Sequence, residues 1–146
     1  EAFEADFKIN VLGFVSCMQA VLPKLTTNSS VVLYSTVAVK VGMPFHASVA
    51  ASKGALEGLG KSLAAELAPN TRVNVIAPSI TNTPLADRFL NNETKMEKSA
   101  QRHPLKRVGK AEDVASMTRF LLSDESSWMT GQIIGLDGGM SSLNTH

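Results

Sequence analysis

The sequence predicts an α/β domain: parallel strands flanked on both faces by helices, in a doubly wound order. Three observations carry this. Short apolar runs rich in β-branched residues, Val31–Thr36 and Arg72–Ala77, are bounded by polar turns, as strands buried on both faces are. A third such run lies inside the segment Trp128–Met140. Between the runs lie stretches whose apolar residues recur at helical spacing, so strand and helix alternate along the chain.

From the N-terminus, Phe3, Phe7, Val11, Phe14, Met18 and Leu22 mark one face of a helix over 2–22, and Pro23 breaks the pattern. Thr26–Ser30 is a polar turn. The strand that follows ends at two hydroxyls, Ser35 and Thr36, and leads into a loop holding Gly42 and Pro44. Ala47–Ala68 is a long helix with Ala55, Leu56, Leu59, Leu63 and Leu67 at helical spacing, stopped by Pro69-Asn70. In the second strand, Ala77 precedes Pro78 and must be extended. Residues 85–103 are polar, with apolar anchors expected at Leu85, Phe89, Leu90 and Met96. They suit a marginal amphipathic helix or helix pair, either a substrate lid or a solvated surface helix. A helix with Val114, Met117 and Leu121 on one face then leads to the last strand and its Asp137-Gly-Gly turn.

The 146 residues are 44% apolar and 18% charged, which suits a packed globular chain rather than a disordered one. A net charge of +1 gives no reason to expect a nucleic-acid partner or an acidic membrane surface. Cys17 is the lone cysteine, so no intramolecular disulfide forms, and a reducing, cytoplasmic location is expected. No uninterrupted apolar run approaches the ~20 residues of a membrane span, and no signal peptide is visible. No metal-ligand pattern is read.

Chemistry concentrates around the long helix. Residues four apart share a helix face, so Val49 and Lys53 point to the same place, to which the strand end can deliver Thr36. Thr36, thirteen residues to position 49, then Ala-Ala-Ser-Lys53-Gly-Ala-Leu-Glu-Gly resembles the catalytic core of the short-chain dehydrogenase/reductase family. The family carries serine, tyrosine and lysine there, the last two one helical turn apart. A tyrosine hydroxyl is a poor acid near neutral pH until a neighbouring ammonium favours its ionised form. Here Thr36 keeps the hydroxyl of the serine position, Lys53 is retained, and Val49 stands where the family has its tyrosine. The one tyrosine, Tyr34, lies on the strand.

The resemblance extends over nearly all 146 residues and implies a Rossmann-like, three-layer α/β/α fold, of which this chain is the C-terminal part. It implies NAD or NADP as cofactor and a small alcohol or carbonyl substrate. Lys8-Ile-Asn10-Val-Leu-Gly13 resembles the family's helix before the catalytic strand, where the asparagine helps hold a water in a proton relay; the plainer reading is a hydrogen bond to a neighbouring helix. Pro78-Ser-Ile80-Thr-Asn-Thr83 resembles the segment whose backbone and threonine meet the nicotinamide carboxamide and the phosphates, with Lys53 completing the cofactor set. Ser79 replaces a glycine there, and the alternative is an ordinary turn with Thr83 as helix N-cap. His46, three residues before Val49, is the best replacement proton donor, a water held by Thr36 and Lys53 being another.

Gly54-Ala-Leu-Glu-Gly58-Leu-Gly60 matches G-x-x-x-G-x-G but lies inside a helix, where its amides cannot face a pyrophosphate; these glycines instead suit close helix packing. The glycine loop and the first strands have no counterpart, so residues 1–146 read as the C-terminal portion of one domain whose dinucleotide-binding half is absent. Helices 2–22 and 47–68 correspond to the family's usual dimer surface, so a homo-oligomer is expected. Two functions stay open: an oxidoreductase with an unorthodox acid, or a catalytically inactive relative with a binding, oligomerisation or regulatory role.

Overall fold

The computed structural model describes residues 1–144. Three parallel strands form the sheet, β1 (Ser29–Tyr34), β2 (Thr71–Pro78) and β5 (Ile133–Leu136), in the order β1-β2-β5. β1 aligns Ser29 with Thr71 and Tyr34 with Ile76, and β2 aligns Val75 with Ile133. Two-residue strands β3 (Thr81–Asn82) and β4 (Gly109–Lys110) form a separate parallel pair. That pair is too short to leave a periodic signal in the sequence.

Helix α1 (Ala2–Lys24) contains a π-helical turn at Lys8–Leu12 and ends in a 3-10 turn carrying Pro23. Helix α2 is Ala47–Leu67, and α3 (Asp87–Leu90) and α4 (Glu93–Gln101) form the expected helix pair. Helix α5 is Ala111–Leu122.

Side chains alternate across a strand, and this sorts the layers. Val31, Leu33, Val73 and Val75 face α2, where they meet Leu56 and Ala64 in the core. The alternate residues face α5: Ser30 Oγ donates to the Leu121 carbonyl at 2.7 Å, and Tyr34 and Thr118 share a 2.8 Å hydroxyl contact. Arg72 donates to the carbonyls of Leu121 (3.1 Å) and Ser123 (3.0 Å), closing the C-terminal end of α5 with a cation, where the helix dipole favours one. The result is the three-layer α/β/α arrangement expected.

Several expectations change. β1 is covered by α2 on one face and by α5 on the other as expected, but Tyr34 at its end is exposed. Of the apolar face read for 2–22, Val11 and Met18 are buried and Phe14 packs against the core, whereas Phe3, Phe7 and Leu22 are exposed, because α1 packs mainly along α2. Leu85 and Phe89 are exposed and do not anchor their segment; Leu90 does. α1 is also long and apolar enough, by length and composition, to cross a membrane, with a mean hydropathy of 1.3 over its best window. Averaging over the window reveals this, whereas a search for an uninterrupted run passes over it. Gly60, read only as suiting close helix packing, meets the sheet, where a Cβ would sit 2.9 Å from Val75 Cγ2, while the space around Gly58 is open.

Candidate active site

The C-terminal ends of β1 and β2 and the first turns of α2 lie at the carboxyl end of the sheet, the end where open α/β sheets bind ligands. Three consecutive residues at the end of β1 are each tied down. Lys53 Nζ donates to the Tyr34 carbonyl at 2.9 Å. Ser35, buried, donates through Oγ to Glu57 Oε1 at 2.5 Å. Thr36, extended at φ −152° and ψ 148°, accepts the Ala38 N–H at 3.3 Å and so caps a 3-10 turn over Val37–Val39. Lys53 and Glu57 are one helical turn apart, so the same face of α2 grips both Tyr34 and Ser35. The Ser35–Glu57 link was not read from the sequence; the i, i+4 spacing of Glu57 from Lys53 was its available signal.

Val49 occupies the turn before Lys53 and offers only hydrocarbon there. Its carbonyl accepts from Ser52 Oγ at 3.1 Å, and Ser52, fully buried, accepts in turn from Asn10 Nδ2 at 3.1 Å. Asn10 sits in the π-helical turn of α1, a distortion frequent at functional sites. Its side chain makes the plain inter-helix hydrogen bond that was the alternative to a relay. His46 stands at the N-terminus of α2 without capping it. Its Nδ1 donates to the Pro44 carbonyl at 2.7 Å, since a carbonyl can only accept, which leaves Nε2 unengaged. Phe45 beside it is fully exposed with φ +63°, a strained conformation for a bulky residue.

Pro78 ends β2, and Ile80 and Thr83 follow it. The Ser79 N–H donates to the Leu136 carbonyl at 3.2 Å, and the Ile80 carbonyl accepts from Gly109 N at 3.0 Å, so β5 and β4 both hold this segment. Ser79 is not among the residues with positive φ, so the conformational freedom of glycine is not needed there. Thr83 is extended and does not cap the turn after it; its Oγ1 lies 3.4 Å from the Thr81 carbonyl, to which it donates. His103, also missed, is buried with Nδ1 donating to the Ser99 carbonyl and Nε2 meeting Ser79 Oγ, both at 2.8 Å. It joins the segment after β2 to the end of α4.

Burial lowers the Lys53 pKa below the ordinary lysine range. No ion pair includes Lys53 among the described residues. A cleft of about 390 Å³ opens nearby between Ile80, His103, Arg107, Met117, Phe120 and Asp137. Thr36, Val49 and Lys53 do not line it, because they stand at the open β1 side of the sheet and the cleft lies beside α5 and β5.

A family model described as Enoyl-(Acyl carrier protein) reductase matches residues 1–141. The chain is 41% identical over 143 residues to the 3-oxoacyl-[acyl-carrier-protein] reductase FabG of Thermotoga maritima, covering 96% of this chain and 57% of that protein. It is 38% identical to Tropinone reductase-like 3 of Erythroxylum coca, covering 93% of this chain and 53% of that protein. Among solved structures, a short-chain dehydrogenase/reductase from Brucella melitensis superposes with a TM-score of 0.86 at 36% identity, over 93% of this chain and 56% of that one. Two others carry cofactor: 4-hydroxyisoleucine dehydrogenase complexed with NADH (27% identity, TM-score 0.87, 94% of this chain and 58% of that one) and ElxO with NADP bound (26%, 0.83, 92% and 56%). The chain thus spans little more than half the length of the relatives it matches.

Proposed function

Because this chain belongs to the short-chain dehydrogenase/reductase family, we propose that it is the C-terminal portion, residues 1–146, of one Rossmann-like domain of an NAD(P)-dependent oxidoreductase acting on a small alcohol or carbonyl, silenced or rebuilt at Val49. Oxidoreductase chemistry is shared by the family's members; the reading for this chain is carried by one observation. Lys53 is held at the end of β1, one turn from Val49 and beside the strand that leads into Pro78–Thr83.

The donors present suit one end of a dinucleotide. Lys53 spends one of its three N–H groups on Tyr34 and has two left for ribose hydroxyls. Pro78, Ile80 and Thr83 stand on the neighbouring strand's end, where the nicotinamide side would lie. The glycines of α2 offer nothing equivalent for pyrophosphate: the amides of Gly54, Gly58 and Gly60 lie within the helix and are spent on its own ladder. The bound cofactor would supply hydride chemistry. The residues of this chain would orient the substrate oxygen through Thr36 and place the Lys53 ammonium beside it.

Proton delivery separates two readings. In one, His46 Nε2, or a water held by Thr36 and Lys53, replaces the absent tyrosine, with Asn10 contributing to the relay. In the other the site is catalytically inactive and the protein keeps fold and association for binding or regulation. The hydrocarbon of Val49 favours the second. Assembly of a homo-oligomer through helices 2–22 and 47–68, and a cytoplasmic location, complete the proposal; the exposed Phe3, Phe7, Ile9 and Leu12 on α1 support association. Turnover assays on the complete domain, with a carbonyl panel and both nicotinamides, test it: measurable reduction supports the first reading, and none with correct folding supports the second.

A further inference from the structure

We propose that His103 is a positioning residue for the nicotinamide end of the cofactor site: through the Ser79 hydroxyl it pins the segment that carries Ile80 and Thr83 to the end of α4. This role rests on the nicotinamide reading of Pro78–Thr83 and adds to it a residue that touches neither cofactor nor substrate.

His103 is buried, with 3% of its surface exposed, and both ring nitrogens are engaged. Nδ1 lies 2.8 Å from the Ser99 carbonyl, which can only accept, so this nitrogen carries a proton. In the neutral imidazole Nε2 is then an acceptor, and the Ser79 hydroxyl 2.8 Å away donates to it. The same hydroxyl lies 3.3 Å from Met140 Sδ, a weak acceptor by comparison. The His103 amide also donates to the Ala100 carbonyl at 3.0 Å. Backbone and side chain thus both tie the residue to the last turn of α4.

The ring is walled in as well. Leu105 N donates to the Gly138 carbonyl at 3.2 Å and holds the glycine turn beside His103. Gly138 sits at φ +61°, and a Cβ there would meet His103 Cβ at 3.5 Å and Cδ2 at 3.6 Å. The imidazole is therefore a fixed post, built between Ser79 and Met140 from contacts that this stretch makes with itself.

Ser79, which the post holds, lies between Pro78 and Ile80. Its N–H donates to the Leu136 carbonyl at 3.2 Å, and its carbonyl accepts from Thr81 Oγ1 at 3.0 Å. A glycine, the family's residue at this position, could make both of those backbone contacts but not the third, to His103. This chain therefore adds a side-chain anchor one peptide from Ile80, where a shift of the backbone moves the cofactor-facing groups directly. Misplacement of a positioning group by about 1 Å can cost roughly 10²-fold.

The test is calorimetric titration of the complete domain with NADH and NADPH, and with ADP-ribose and its phosphorylated counterpart, which carry the adenosine end alone. His103→Ala and Ser79→Ala should each weaken nicotinamide binding by about tenfold, the worth of one buried hydrogen bond, and leave ADP-ribose affinity unchanged. A general loss of packing would lower both affinities. The double variant should lose no more than either single one, because the two residues act through one contact. Unchanged nicotinamide affinity in Ser79→Ala overturns the proposal, as do an equal loss for both classes of ligand and losses that multiply in the double variant. Ser79→Ala leaves the His103–Ser99 bond in place, so it decides the matter even if His103→Ala does not fold. An unaltered domain that binds neither nicotinamide overturns the cofactor reading and this role with it, whereas variants that bind like the unaltered domain overturn this role alone.

Discussion

Asn10 Nδ2 donates to Ser52 Oγ at 3.1 Å and so links the π-helical turn of α1 to the helix that carries Val49 and Lys53. Ser52 is fully buried and donates its own hydroxyl hydrogen bond to the Val49 carbonyl. Ser52→Ala removes the acceptor and leaves the Asn10 amide half-buried without it. Loss of one partner of a buried pair costs about 1–3 kcal/mol. Urea unfolding of Ser52→Ala should show a drop of that size, and an unchanged midpoint would mean that the two helices are held by apolar contact alone.

Two glycines on the same helix should respond with opposite signs. Gly60 is buried, and a Cβ there would lie 2.9 Å from Val75 Cγ2, on a β-branched side chain with little freedom to retreat. Gly60→Ala should cost about 1–3 kcal/mol by overpacking. Gly58 has open space around it, so Gly58→Ala should stabilise the helix by about 0.5–1 kcal/mol. Thermal melts of the two variants decide it. If the helix is also a homo-oligomer surface, Gly58→Val should move the sedimentation distribution toward smaller species while the chain stays folded.

The strands and long helices were legible because each has a period or an apolar run of its own. Val31–Thr36 announces a strand, and the helix of Lys53 is marked by Leu56, Leu63 and the stop at Pro69. The spacing of Thr36, Val49 and Lys53 located the site for the same reason, since it is written in one contiguous stretch. What escaped depends on partners distant in sequence. Gly60 rather than Gly58 meets the sheet because the helix is rotated so that Ser52, Leu56, Gly60 and Ala64 face inward, a rotation set by Val73 and Val75 on a later strand. The two-residue pairing of Thr81–Asn82 with Gly109–Lys110 has no periodicity to read. Nothing near His103 in the sequence marks it, and its role appears only when Ser79 and Ser99 are brought to its two nitrogens.

Acid should weaken the start of α5 through one carboxylate. Asp113 accepts two hydrogen bonds from Arg107, at 2.6 and 3.1 Å, and one from the Lys110 N–H at 2.8 Å. The Arg107 guanidinium is the largest cause that brings its pKa from 3.8 down to about 2. The folded chain thus binds this proton less tightly than the unfolded one. The resulting stability is fully present above the unfolded value and is lost as pH falls from 3.8 through about 2. The pair is solvent-exposed, so salt should shrink the effect. Asp113→Asn should melt below the parent near neutral pH, and the gap should close on acidification through that window. A gap independent of pH would place the effect in the lost cap rather than the charge.

The isolated chain should not bind a dinucleotide measurably. Lys53 and Thr83 can meet only the nicotinamide end, and the helix amides of Gly54, Gly58 and Gly60 are not free for pyrophosphate. Calorimetric titration with NADH and NADPH checks this. Micromolar affinity for either would show that the residues at the strand ends suffice and would overturn the assignment of the missing loop.

Position 49 carries the strongest test of function. In the complete domain proposed above, Val49→Tyr would set a phenol one helical turn from Lys53, with Thr36 and Asn10 already placed around it. Burial lowers the Lys53 pKa when no partner is present, and a phenolate one turn away would favour the ammonium again while the ammonium lowers the phenol's own pKa. General acid–base catalysis of this kind is worth about 10²–10⁴-fold. A gain in carbonyl reduction within that range, abolished by Lys53→Ala, would identify a family site silenced at one residue. The contrary pattern is equally definite. If the unaltered domain already reduces carbonyls, if His46→Ala removes that activity, and if Val49→Tyr adds nothing, then the proton travels through His46. Its Nδ1 is already fixed by the Pro44 carbonyl at 2.7 Å, which would hold Nε2 as the exchanging nitrogen, and Val49 would then be part of a rebuilt site rather than a lost one.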